Sequence, residues 1–220
     1  MWSADMDRRQ FSLTAGSALA GAGLAWSAAA QAQSKKPELG VHYLALGTPA
    51  PTEAPAGKVE VLEFFWYNCS HCNAFEPELA AWLKRMPKNV AFRRVPVAFN
   101  ASFVPQQRLY FSLEALGLVE KLHGKVFDAI HKEKIKLEDG QAITAWVVQN
   151  GVDQAKFLAA YNSFSVETKT KKSVQLQEAY KVEGVPALGI AGRFYTDAGL
   201  AGGMTRALLV VEMLAAENKG

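Results

Sequence analysis

The stretch that most constrains this chain is Val59-Glu60-Val61-Leu62-Glu63-Phe64-Phe65-Trp66, a β-branched and aromatic run that reads as a buried strand. It leads directly into Tyr67-Asn68-Cys69-Ser70-His71-Cys72, from which a helix is expected between about Cys69 and Met86, bent or broken near Pro77. Val90 to Val97 reads as a second strand. A strand–helix–strand unit of this length favours parallel pairing, because the crossover returns the chain to the same end of the sheet. Ahead of it, Pro37, Pro49, Pro51 and Pro55 with Gly47 and Gly57 make an irregular lead-in, with a short strand around His42-Tyr43-Leu44.

The middle of the chain changes period. Leu109, Leu113 and Leu116 recur at helical spacing, as do Leu122, Val126 and Ile130. Ile143, Trp146 and Val147 form another apolar face after the Glu138-Asp139-Gly140 turn, stopped by Asn150-Gly151. Asp153 is placed to cap a helix carrying Phe157 and Tyr161, and a further helix is expected from Val166 to Tyr180. Ala187 to Ile190 and Arg193 to Tyr195 then read as a hairpin around Ala191-Gly192, and a last helix from Thr205 to Ala216 follows. The fold class is α/β: a central sheet flanked by helices, with an inserted all-helical subdomain. A length of 220 residues suits one elaborated domain or two small ones.

The N-terminus reads as an address. Asp7-Arg8-Arg9-Gln10-Phe11-Ser12-Leu13 precedes a weakly apolar run rich in Ala and Gly, and Ala30-Gln31-Ala32 supplies a small-x-small cleavage pattern. The paired arginines resemble a twin-arginine export signal, and they also suit a general export n-region. Residues 1–32 are therefore expected to be a signal peptide cleaved near Ala32, leaving a protein that works in the periplasm. Removing them takes away two arginines and two aspartates and leaves the net charge at +3. A balance so mild, without a long basic run, gives no support for nucleic-acid binding.

The chain has two cysteines, Cys69 and Cys72, so one disulfide is the maximum. A bridge closing so small a loop restrains little of the unfolded chain, which points to chemistry and not to stapling. A cysteine at the first turn of a helix faces unpaired N–H groups and the positive end of the helix dipole, both favouring thiolate. Cys72, one turn on, lies on the same face but deeper, and His71 between them adds positive charge if protonated. A stabilised thiolate favours the reduced dithiol, so the disulfide is a stronger oxidant and a faster donor. Zinc, the main competing use of this spacing, needs two more ligands; His42, His71, His123 and His131 do not supply a pair at ligand spacing, apart from His123 and His131 two turns apart on one expected helix. Those two read as surface or partly buried helix residues, and no metal is expected.

Val61 through Cys72 resembles the active-site segment of the DsbA family of thiol:disulfide interchange proteins. A second match, Gly184-Val185-Pro186-Ala187, stands before the hairpin and final helix. The resemblance implies a thioredoxin-like domain over 33–103 and 176–220, an inserted helical domain over 104–175, and a cis-proline at Pro186 beside the cysteines. It implies catalytic roles for Cys69, Cys72, His71 and Ser70, with Val185 and Pro186 receiving substrate. The family's commonest dipeptide between the cysteines is Pro-His, and Ser70-His71 departs from it.

For Glu63 two readings stand: a carboxylate paired with a lysine such as Lys58, or, as the resemblance implies, a buried acid relaying protons to Cys72. Tyr67 and Trp66 are expected to be core residues that also flank a peptide groove. The resemblance further implies an oxidase that passes its Cys69–Cys72 disulfide to unfolded or partly folded exported proteins as a monomer. It would use no other cofactor and be reoxidised by a DsbB-like quinone-linked membrane oxidase. A reductase or isomerase of the same fold, and a non-catalytic peptide-binding chaperone, are the competing functions. The isomerase form carries a dimerisation domain for which residues 33–58 leave little room.

Overall fold

The computed structural model describes residues 36–218; the expected signal peptide lies outside them. Among the described residues, five strands form one sheet in the order β1-β5-β4-β2-β3, and eight α-helices pack around it. The strands are β1 (Leu44–Ala45), β2 (Val59–Phe65), β3 (Val90–Pro96), β4 (Ala187–Ile190) and β5 (Phe194–Asp197). β2 is an interior strand, buried along its whole length as its mostly apolar run predicts, with Glu60 and Glu63 buried along with it. It pairs in parallel with β3, Glu63 opposite Arg94, and antiparallel with β4, Val61 opposite Ile190.

The crossover between the parallel strands is α1 (Ser70–Leu83), which buries Cys72, Phe75, Leu79 and Trp82. It starts one residue later and ends three residues earlier than the sequence suggests, and it runs unbroken through Pro77. A proline inside a helix costs a hydrogen bond to the preceding turn. Burying Phe75, Leu79 and Trp82, at about 1.5–3 kcal/mol each, outweighs that loss.

The inserted block is built from α2 (Val104–Ala115), α3 (Val119–His131), α4 (Gly140–Gln149), α5 (Gln154–Tyr161) and α6 (Phe164–Ala179). Side-chain caps start three of these helices. Asp139 accepts from the Gln141 and Ala142 N–H groups, Asp153 from Lys156, and Ser163 from Val166. After the hairpin, α7 (Ala198–Ala201) and α8 (Met204–Glu217) close the chain. The hairpin turns through Ala191 and Gly192, both at positive φ, as a primed turn requires. Tyr180 lies flat against β4 at Gly189, where any Cβ would stand 2.5 Å from its ring.

Alternation along β2 divides the core. Val59 and Val61 pack with Phe75, Leu79 and Trp82 of α1 and with α8, whereas Leu62 and Phe64 pack with Leu176 and Tyr180 on the opposite face. Phe65, Tyr67 and Cys72 join the core of the helical block itself. From Pro37 onward the chain is one compact unit, and the cysteine pair lies where the sheet and the block share their packing.

Candidate active site

Tyr67 and Asn68 carry the chain from β2 to Cys69, the N-cap of α1, whose extended backbone (φ −76°, ψ 116°) turns its side chain back over the helix start. Cys69 Sγ accepts from the Cys72 N–H at 3.4 Å, as an N-cap side chain should. The first turn of α1 holds no acidic residue to oppose a thiolate. When protonated, the Cys69 thiol donates to the Val185 carbonyl at 3.3 Å, and the Val185–Pro186 bond is cis. Cys69 is half-buried, Cys72 fully buried, and Ser70 and His71 are exposed between them. A groove of about 480 Å³ opens beside the pair, lined among others by His71, Phe75, Val185, Pro186 and Met204. Hollows of about 690 and about 810 Å³ elsewhere are lined by neither His71 nor Pro186.

The two sulfurs are electrostatically unlike. A hydrogen bond from the Cys72 thiol, helped by the backbone N–H groups of Cys72 and His71, brings Cys69 down to about 6 against the opposing effect of burial. The charge of His71 contributes least of these, so the helix start outweighs the histidine. Burial pushes the Cys72 thiol far up, and its contacts with Cys69 add to the rise.

Beneath α1 lies a row of buried charges. Glu63 is fully buried and does not pair with Lys58, whose ammonium donates to the Lys88 carbonyl. Its partner is Arg94, directly opposite in the β2–β3 register, with Nε 3.0 Å from Glu63 Oε2. Arg94 Nη2 also donates to Glu76 Oε2 at 3.1 Å. Glu76 Oε1 meets His123 Nε2 at 3.1 Å, and His123 Nδ1 meets the Tyr67 hydroxyl at 2.9 Å. Burial raises Glu63 to about 8; Arg94 opposes the rise and Glu76 adds to it. Burial would raise Glu76 too, but the hydrogen bond from His123, the imidazole's charge when it is protonated, and then the Arg94 charge outweigh it and hold Glu76 below its ordinary value.

Tyr67 does not flank the groove. It is 1% exposed and seated in the helical block, because it continues the face of Phe65, while Trp66 on the alternate face stacks on Phe103. His123 is likewise buried, not a surface residue. The block also grips the loop before Cys69. His131 Nε2 donates to the Tyr67 carbonyl at 2.8 Å, and Gln106 Nε2 donates to Asn68 Oδ1 at 2.7 Å. Glu76, Arg94, His123, His131 and Gln106 were not legible as site residues. The one signal for Arg94 was a pair of arginines inside an otherwise apolar strand.

A strand that leads into a helix-capping cysteine, a buried second thiol one turn on and the Val185 carbonyl, just before a cis-proline, against the first sulfur define a thiol:disulfide oxidoreductase with a thioredoxin-like fold. The redox group is the cysteine pair itself, with no external cofactor. Comparison with known proteins narrows the class. The DSBA-like thioredoxin domain family matches residues 83–203, a span that begins after the cysteines. Curated relatives extend over the pair. A thiol:disulfide interchange protein DsbA of Bordetella parapertussis is 42% identical over 208 residues, covering 94% of this chain and 96% of its own. One of Burkholderia cepacia is 44% identical over 167 residues, covering 76% and 79%. The crystal structure of Pseudomonas aeruginosa DsbA superposes with a TM-score of 0.79 at 36% identity, covering 84% of this chain and 95% of that one. The chain belongs to the DsbA family, and it exchanges disulfides with substrate proteins.

Proposed function

We propose that this enzyme is a periplasmic oxidase that donates its Cys69–Cys72 disulfide to newly exported proteins. The observation that carries this reading is the opposed character of the two sulfurs, a stabilised thiolate at Cys69 above a buried thiol at Cys72. A substrate thiolate attacks Cys69 Sγ, the Cys69–Cys72 bond breaks, and Cys72 leaves with the electron pair and takes up a proton. Glu63, still protonated near neutral pH, is the group beneath α1 suited to supply that proton. The substrate's second thiolate then attacks its own sulfur in the mixed disulfide and expels Cys69 as a thiolate. A low-pKa thiolate leaves fast, and its stability in the reduced enzyme drives the bridge onto the substrate.

The groove wall at half-buried Val185 and buried Pro186 suits an extended substrate backbone, with exposed His71 lining the groove and exposed Ser70 next to it in sequence. Residues 33–103 and 176–220 form the thiol-exchanging domain in this reading, and 104–175 the insert that braces it, the divide falling within α6, whose Leu176 packs on the sheet. Return to the disulfide needs a two-electron acceptor, for which a DsbB-like quinone-linked membrane oxidase is the partner. The test is the redox equilibrium of the mature protein with glutathione. A disulfide much more oxidising than the glutathione couple is expected; a strongly reducing one would make the protein a reductase.

A further inference from the structure

His123 has no part in that scheme, yet it is the polar side chain by which the helical insert reaches the charges under the cysteines. It is 5% exposed and hemmed in by the rings of Phe65, Tyr67 and Phe127, all with centroids 5.1–5.3 Å from a neighbour in the cluster, and by Tyr110 at 6.0 Å. An ionised Glu76 can only accept, so His123 Nε2 carries the proton and donates to it. Burial keeps the ring neutral, which leaves Nδ1 to accept from the Tyr67 hydroxyl. Both ring nitrogens are therefore committed. The charged and titratable groups around the ring are Glu76 from α1, Arg94 from β3, Tyr67 from the β2–α1 loop, Tyr110 from α2 and Glu120 on α3 itself.

Glu76 is held at both ends, Oε1 by His123 and Oε2 by Arg94. Two carboxyls then share one guanidinium, and the cluster is neutral when one of them carries a proton. With Glu76 pinned as the ionised member, that proton falls to Glu63, the carboxyl whose field reaches Cys72. Without His123, Glu76 loses its second donor and competes for the proton, and Arg94 is released toward Glu63.

We propose that His123 is a positioning residue for the exchange reaction: by holding Glu76 ionised against Arg94, it leaves Glu63 as the carboxyl that exchanges a proton with Cys72. The inference rests on the reading of Glu63 given above, and the experiment separates the two. The mature protein is prepared with Cys69 in a mixed disulfide with thionitrobenzoate. Cys72 gives its proton to Glu63 and attacks Cys69 Sγ; the Cys69–Cys72 bond forms, and thionitrobenzoate departs with the electron pair and is read by its absorbance. The rate is followed from about pH 5 to about pH 10 in each variant. In the unaltered protein the acid limb is expected near pH 8.

His123→Phe is expected to move that limb to lower pH by about one unit, because Arg94 then favours the ionised form of Glu63. His123→Gln places an amide N–H where the ring Nε2 stood and is expected to restore the original limb. His123→Asn reaches only the Nδ1 position and is expected to behave like the phenylalanine variant. A limb unmoved in both His123→Phe and His123→Asn, or rescue by Asn equal to that by Gln, would overturn the proposal. The Gln–Asn comparison stands alone if the phenylalanine variant does not fold. Glu63→Gln serves as the reference. A limb that survives it removes Glu63 as the proton acceptor, whereas a limb lost there but unmoved in the His123 variants removes only the role of His123.

Discussion

Replacing Glu63 with glutamine should make the protein more stable at neutral pH, although it deletes a buried ion-pair partner. Glu63 is fully buried and titrates at about 8, against 4.5 for an ordinary glutamate. Between those values the folded chain holds a proton that the unfolded chain has released, so its contribution to stability falls as pH rises through that window and is fully present below pH 4.5. Each pH unit in the window costs about 1.4 kcal/mol, so the carboxyl costs about 3 kcal/mol at pH 7. Glutamine matches the shape of the neutral acid and has no proton to lose, while Arg94 keeps Glu76. Urea unfolding of the reduced proteins should therefore show Glu63→Gln about 3 kcal/mol more stable at pH 7 and equal to the parent at about pH 4. An equal gain at both pH values, or a loss at pH 7, would refute the reasoning, since either shows that the carboxyl does not enter the fold protonated.

Alkylation with iodoacetamide, read by mass spectrometry, should label Cys69 with a midpoint near pH 6 and leave Cys72 unlabelled where an ordinary thiol reacts; equal labelling at mildly acidic pH would contradict the assignment. Thiolate absorbance should show the Cys69 titration moving up by about one unit or more in Cys72→Ala and by less in His71→Ala, because the thiol hydrogen bond outranks the imidazole charge. Gly189→Ala should lose about 1–3 kcal/mol in urea, since its Cβ meets the Tyr180 ring. Gly124→Ala, inside α3 with nothing within 4 Å of the new methyl, should instead gain about 1 kcal/mol.

What the sequence made legible was local. The largely apolar run of β2, the helix cap at Asp153 and the hairpin at Ala191-Gly192 each carry their signal within a few residues, and each stands where expected, while Asp139, expected only within a turn, caps α4. The cysteine pair was legible for the same reason. The charge row beneath it was not, because it exists only through register and packing. Glu63 meets Arg94 when β2 and β3 align in parallel, and His123 meets Glu76 when α3 docks under α1. The misplacement of Tyr67 had a readable remedy. Alternation along the strand puts it on the side of Phe65, toward the helical block, and leaves Trp66 on the other.

The position of β2 between β3 and β4 also bears on how the chain matures. After β1, synthesis delivers β2, α1 and β3, then the whole helical insert, and only afterwards β4, whose Ile190 pairs with Val61. Non-local strand pairing of this kind is slow to form and must wait for the distal partner to emerge from the ribosome. Val185, which lies against the Cys69 sulfur, arrives just as late. A nascent chain halted before Val185 thus carries both thiols but not the backbone that meets the Cys69 sulfur, and the segment leading into the carboxyl-terminal hairpin completes the site.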